Sequence, residues 1–188
     1  MANHCNNVIT ITSSDLETSR KLNEEFSFLL DENIDAFEVI KEKYPTEYTH
    51  WFDIAHTEIG FENNSIYILI EGDTNWSPIE EFLETFSEKN PLAVIECMYE
   101  EPGCNIGGNI VYRDGCKILD DHYEFLEYLQ IFDEERYNNE LEYIFDGYTE
   151  SLTLKEFKKT LTFKRYNKKE KYKFANLFKA KRKKLFKN

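Results

Sequence analysis

Phosphate binding is the chemistry best suited to the residue types near the end of this chain. Lys164, Arg165, Lys168, Lys169, Lys171, Lys173, Lys179, Lys181, Arg182, Lys183 and Lys184 interleave with Tyr166, Tyr172, Phe163, Phe174 and Phe178. Cations neutralise a phosphate backbone and release its counterions, while rings stack on unpaired bases. The composition therefore fits single-stranded nucleic acid, RNA above all. Three other readings of the same residues stand beside it. Phe174, Leu177, Phe178 and Leu185 fit the buried stripe of an amphipathic helix. The cations also suit an internal counter-charge for the acidic remainder, or an anionic membrane surface.

Other chemistries find less support. His4, Cys5, Cys104 and His122 are metal-ligand types without ligand spacing. His50 and His56 suit neither one helix face nor a finger; on one strand they would share a face about 20 Å apart. No nucleophile elbow and no Cys/His signature occurs. Gly107-Gly108 falls inside an expected strand, so it is no phosphate loop. Carboxylates are too numerous for any pair to stand out. No metal, no cofactor and no enzymatic activity are expected.

The charge is unevenly divided. Residues 154–188 carry 15 of the 23 Lys/Arg and 2 of the 36 Asp/Glu, a net charge of +13. The first 153 residues hold the other 8 and 34, a net of −26. A carboxylate-rich globule of this kind suits either plain solubility or a groove built for a phosphate backbone. No apolar run approaches the roughly 18 residues of a membrane span. The first residues resemble no secretion signal, so the cytoplasm is the expected compartment. In that reducing setting Cys5, Cys97, Cys104 and Cys116 are expected to be free, buried thiols.

Positioning these residues requires a fold, and its elements are legible. Val8–Thr12 is a β-branched run and predicts a strand. Ser14-Asp15-Leu16-Glu17 predicts a capping box opening a helix to about Asp31. A short helix around residues 37–40 stops at Pro45. Trp51–Ala55, extending towards Phe61, and Ser65–Glu71 predict two strands joined at Asn63-Asn64. Ser77 is the expected N-cap of the next helix, with Pro78 at its first position, Glu80 closing the box and Trp76 folded back near Phe82. Leu92–Tyr99 is a fourth strand; residues 106–112 and 116–121 form a hairpin through Asp114-Gly115. Helices follow over 122–132 and 137–145, and Thr153 to Glu156 predicts a further helix start.

The order β-α-β-β-α-β is the split βαβ pattern of ferredoxin-like folds, here α+β with an added hairpin and a C-terminal helical basic extension. The expected division is a ferredoxin-like domain over 1–121, an acidic helical segment over 122–153 and the basic aromatic tail over 154–188.

Asn3, Cys5, Asn7, Ile9 and Ile11 resemble the opening Met-Pro-Asn-Trp-Cys-x-Asn signature of a bacterial family carried by phages and plasmids. Trp51-x-Asp53 is similar to its Gly-Thr-Lys-Trp-Asp block, and Thr74-x-Trp76-Ser77-Pro78 to its Thr-Ala-Trp-Ser-Pro-Pro corner. Tyr99-Glu100, Gly103, Gly108, Tyr112 and Gly115 fit its closing strands. Ala2, His4 and Tyr48-Thr49-His50 depart from it, and the tail has no counterpart. The resemblance implies a ferredoxin-like fold, a structural role for these motif residues and no established activity. With the charge division it leads to an expected function: binding of a nucleic-acid-processing host defence protein, such as a CRISPR effector, with or without its RNA. The alternative is direct binding of single-stranded RNA or DNA through the tail.

Overall fold

The computed structural model describes residues 4–31, 33–45 and 52–147. Asn3, Trp51, His50 and the whole tail from Lys164 to Lys184 lie outside the described residues, as does the helix start expected at Thr153. The chain divides into two compact units, Met1–His122 and Tyr123–Asn188.

In the first unit β1 (His4–Ser13) is followed by α1 (Leu16–Glu25), a 3-10 turn over Ser27–Leu30, and α2 (Ala36–Lys43). Next come β2 (Phe52–Glu62), β3 (Ser65–Asn75), α3 (Glu80–Lys89), β4 (Val94–Glu101), β5 (Ile106–Arg113) and β6 (Cys116–Glu124). The strands form one antiparallel sheet in the order β2-β3-β1-β4-β5-β6. The chain is α+β.

Alternation decides which face of the sheet is buried. Cys5, Asn7, Ile9 and Ile11 of β1, Ile66, Ile68 and Ile70 of β3, and Ile95, Cys97 and Tyr99 of β4 turn to the core, all at most 2% exposed. α1 contacts β1, β2 and β3, α2 contacts β2, and α3 contacts β4 and β5. Phe26, Tyr44, Phe82 and Phe86 knit the helices together, with ring centroids 5.4–6.1 Å apart. Such aromatic pairs each add roughly 0.5–1.5 kcal/mol beyond area burial.

Turn chemistry fixes the register. Asn63 and Asn64 (φ 50° and 64°) separate paired Glu62 and Ser65, and Asp114 and Gly115 (φ 52° and 67°) separate β5 from β6. Positive φ at both central residues is the two-residue turn whose twist matches the flanking strands. Both hairpins were legible.

Two helix starts differ from expectation. α1 is capped by Asp15, whose carboxylate accepts from the Thr18 amide at 2.8 Å; the Ser13 hydroxyl accepts from the Asp15 amide at 3.2 Å. The cap therefore lies one residue beyond Ser14, and the amide bonds hold the Asp15 carboxyl below the ordinary aspartate range. α3 begins at Glu80 with Ile79 at its N-cap and no side-chain cap, so Ser77 is not the cap and Pro78 not the first helical residue. Four contacts account for the shift. The Thr74 hydroxyl donates to the Ser77 carbonyl at 2.6 Å, and the Ser77 amide to Asn75 at 2.8 Å. The Glu80 carboxylate is drawn away to Lys117, 2.6 Å, and the Tyr112 hydroxyl, 3.3 Å. Buried Ile79, not Trp76, covers the start of the helix.

In the second unit α4 (Phe125–Phe132) and α5 (Glu134–Gly147) pack on each other, near the spans expected for them. Tyr128 and Phe132 stack within α4, with centroids 4.9 Å apart, and Leu129 and Leu141 are fully buried. Among the described residues no helix is long and apolar enough to cross a membrane.

Candidate functional site

The second face of the sheet is where charge collects. β1, β2, β3 and β4 contain no Lys or Arg, while β2, β3 and β4 place Asp53, Glu58, Glu71, Asp73 and Glu100 at outward positions. Pairing lines these up in rows about 4.8 Å from strand to strand. Asp53, Asp73, Asn6 and Glu100 form one row; His56, Glu71, Val8 and Met98 the next; Glu58 lies one step further, opposite Leu69. Asp53 and Asp73 are directly opposed, an arrangement that destabilises a sheet. Asp73 accepts a hydrogen bond from the Asn6 amide at 3.3 Å and lies 3.9 Å from His4 Nδ1. Towards β5 the same face is closed: Thr10, Glu96, Asn109 and Val111 are buried, and Asn109 donates to Glu96 at 3.0 Å.

Cys5 and Asn7 meet Thr74 and Ser77 at one end of the sheet. Asn7 is fully buried, and its amide donates to the Cys5 carbonyl at 2.7 Å and the Thr74 hydroxyl at 2.8 Å. The Thr74 hydroxyl in turn donates to the Ser77 carbonyl at 2.6 Å, and the Cys97 thiol donates to Asn7 Oδ1 at 3.5 Å. The opening signature and the Trp corner are thus one hydrogen-bonded network joining β1, β3 and β4. Asp53 stands apart on the open face. Trp76 is also apart: it is 52% exposed at φ 69°, a left-handed backbone that a bulky residue rarely adopts.

A second polar cluster spans β4 to β6. The Tyr99 hydroxyl bonds His122 Nδ1, and His122 Nε2 meets Asp120 at 2.5 Å. Burial raises the Tyr99 pKa and keeps the phenol protonated. Sequence reasoning missed this chain, because Tyr99 reaches His122 across an intervening strand.

The residues weighed as metal ligands do not gather. His122 is held by Tyr99 and Asp120, Cys5 is buried and Cys104 is exposed. Among the described residues no three His, Cys, Asp or Glu side chains are grouped as an ion would require.

The thiols correct one expectation. All four are free, but only Cys5 and Cys97 are buried; Cys104 sits in the 3-10 turn after β4 and Cys116 just beyond the tight turn, both exposed. Burial pushes the Cys5 pKa up to about 12 and that of Cys97 well above the ordinary thiol value. A chromogenic disulfide reagent at pH 8 is therefore expected to titrate Cys104 and Cys116 in the native protein, and Cys5 and Cys97 only in denaturant. Rapid reaction of all four without denaturant would contradict the packing of β1 on β4.

Comparison of the chain with protein-family profiles, with curated proteins and with solved structures finds no match.

Proposed function

We propose that this chain is a non-enzymatic interaction protein of a phage or mobile element, acting in the cytoplasm. In this reading it binds and modulates a nucleic-acid-processing host defence protein such as a CRISPR effector. The observation that carries the proposal is the open face: Asp53, Asp73 and Glu100 in one cross-strand row, with Glu71 and Glu58 in the next two, on strands that supply no Lys or Arg of their own. Spaced negative charge on a rigid sheet complements a cationic groove shaped for a phosphate backbone. The opposed Asp53 and Asp73 support it further, because folding alone gives no reason to keep them together.

The sheet domain is, in the same reading, ferredoxin-like and a member of the phage and plasmid family it resembles. The order β2-β3-β1-β4, helices after β1 and after β3, and antiparallel pairing of β1 with both neighbours all support that assignment; β5 and β6 are the added hairpin.

A second reading, direct binding of single-stranded RNA or DNA through the tail, rests on the 15 Lys/Arg and interleaved rings of residues 154–188. One experiment separates the two. The tagged full chain is used to capture proteins from host lysate with and without nuclease, and labelled single-stranded RNA is titrated before and after truncation at Leu154. Nuclease-resistant capture of a nucleic-acid-processing protein is the expected result. RNA binding that vanishes on truncation, with capture abolished by nuclease, would overturn it in favour of the second reading.

A further inference from the structure

A groove of about 790 Å³ runs between β2 and the segment from Phe28 to Glu38; Asp53, at the β2 end of the carboxylate row described above, is part of its lining. We propose that it is a docking site for an extended peptide segment of a partner, one that alternates Lys or Arg with aromatic residues. The inference rests on the reading of this chain as a binder of cationic proteins and names the segment such a partner would offer.

Three observations select that occupant. The first is charge. Asp31, Asp35, Glu38 and Asp53 line the groove, and among the described residues no Lys or Arg does, although Lys41 pairs with Glu38 from outside it at 3.5 Å. Asp31 and Asp35 accept hydrogen bonds from the backbone amides of Asn33, Phe37 and Glu38, which are neutral donors. Their negative charge therefore stays available to a ligand.

The second is apolar surface. Phe37 packs edge-on against Phe52, with centroids 6.3 Å apart, and forms the floor with Phe28 and Ile54. At the rim Leu30 is 69% exposed and Ile34 39% exposed, an unusual outlay of aliphatic surface beside carboxylates. Aromatic side chains with a cationic neighbour suit this pairing.

The third is the strand itself. β2 ends the sheet order, so among the described residues its outer row of amides and carbonyls has no neighbouring strand over eleven residues. It contains no proline and no lysine, two devices that protect a sheet edge; its protections are the bulge between Ile54 and His56 and the Thr57 hydroxyl, which donates to the Leu29 carbonyl at 3.0 Å. An extended peptide adding there gains main-chain hydrogen bonds and places alternate side chains into the groove. A rounded small molecule would leave that edge unused.

The test uses a short fluorescein-labelled peptide alternating Arg with Phe, titrated by anisotropy against the full chain at low and high salt. Three proteins are compared: the unaltered chain, Leu30→Lys/Ile34→Lys at the rim, and Glu71→Lys/Asp73→Lys on the open face. Both rim positions are exposed enough for the fold to survive, and circular dichroism checks it. The proposal expects at least about a tenfold loss in the rim variant, or some 1.4 kcal/mol, with less change in the open-face variant. It also expects N-methylation of one alternate set of peptide amides, and not of the other, to abolish binding. Weakening by the open-face variant alone overturns the groove and leaves the acidic-face reading standing. No binding of the peptide at low salt also overturns the groove, and lysate capture then decides that reading separately.

Discussion

Gly108→Ala is expected to destabilise the protein by about 2–4 kcal/mol, lowering its melting temperature by roughly 10 °C. Gly108 lies in β5 directly opposite Tyr99 of β4. A Cβ there would stand 2.6 Å from the Tyr99 hydroxyl, 2.7 Å from its ring and 2.5 Å from the Asp121 carbonyl. The missing side chain is the space through which Tyr99 crosses β5 to His122. With alanine either the ring swings away, losing that bond, or β5 and β6 part. Overpacking costs about 1–3 kcal/mol, and the lost bond of a buried phenol adds about 1. Gly60→Ala is the control, since its Cβ would meet nothing within 4 Å. Thermal denaturation measures both. Placing Gly108→Ala on a His122→Ala background should cost less than the two changes made separately, because they damage one link. Full additivity would show the Tyr99–His122 bond to be irrelevant to the effect.

The second large effect concerns binding without loss of fold. Glu58→Lys, Glu71→Lys and Asp73→Lys made together replace three outward carboxylates on two adjacent strands. Affinity for the captured partner is expected to fall about 100-fold or more, since like-charge contact across an interface costs several kcal/mol. Stability should hold or rise slightly. The repulsion between Asp53 and residue 73 becomes attraction, worth about 0.2–1 kcal/mol in a cross-strand pair. Trp76→Ala is expected to weaken the same complex about tenfold, because exposed tryptophans anchor interfaces. Surface plasmon resonance with the captured protein gives the affinities and urea titration the stabilities. A triple variant that binds normally removes the open face from the proposed function.

Much of this architecture was legible because local and global preferences agree. The β-branched runs of β1 and β3 fall where the sheet needs them, and both two-residue turns carry residues that tolerate positive φ. β2 was harder to delimit for a definite reason. Its register shifts between Ile54 and His56, so inward positions pass from Phe52 and Ile54 to Thr57, Ile59 and Phe61. A bulge changes the phase of the alternation and breaks a period-two reading in the middle of the strand. The helix starts shifted because neighbouring side chains competed for the same backbone groups, as Thr74 does for Ser77. The acidic rows could not be foreseen. Asp53, Asp73 and Glu100 are far apart in the chain, and only the pairing of three strand partners makes them neighbours.

The position of β1 has a consequence for how the chain reaches this state. It is synthesised first yet lies mid-sheet, with Ser13 waiting for Ile66 and Asn6 for Glu100. Local hairpins close within about 1–10 µs, whereas a strand with such distant partners must wait for the chain to exist. At typical ribosomal rates roughly 5–20 s separate the emergence of Asn6 from that of Glu100. Until β3 emerges Ile9 and Ile11 have no strand to join, and β4 follows later still, so nascent-chain chaperones should engage β1 during the first part of that interval.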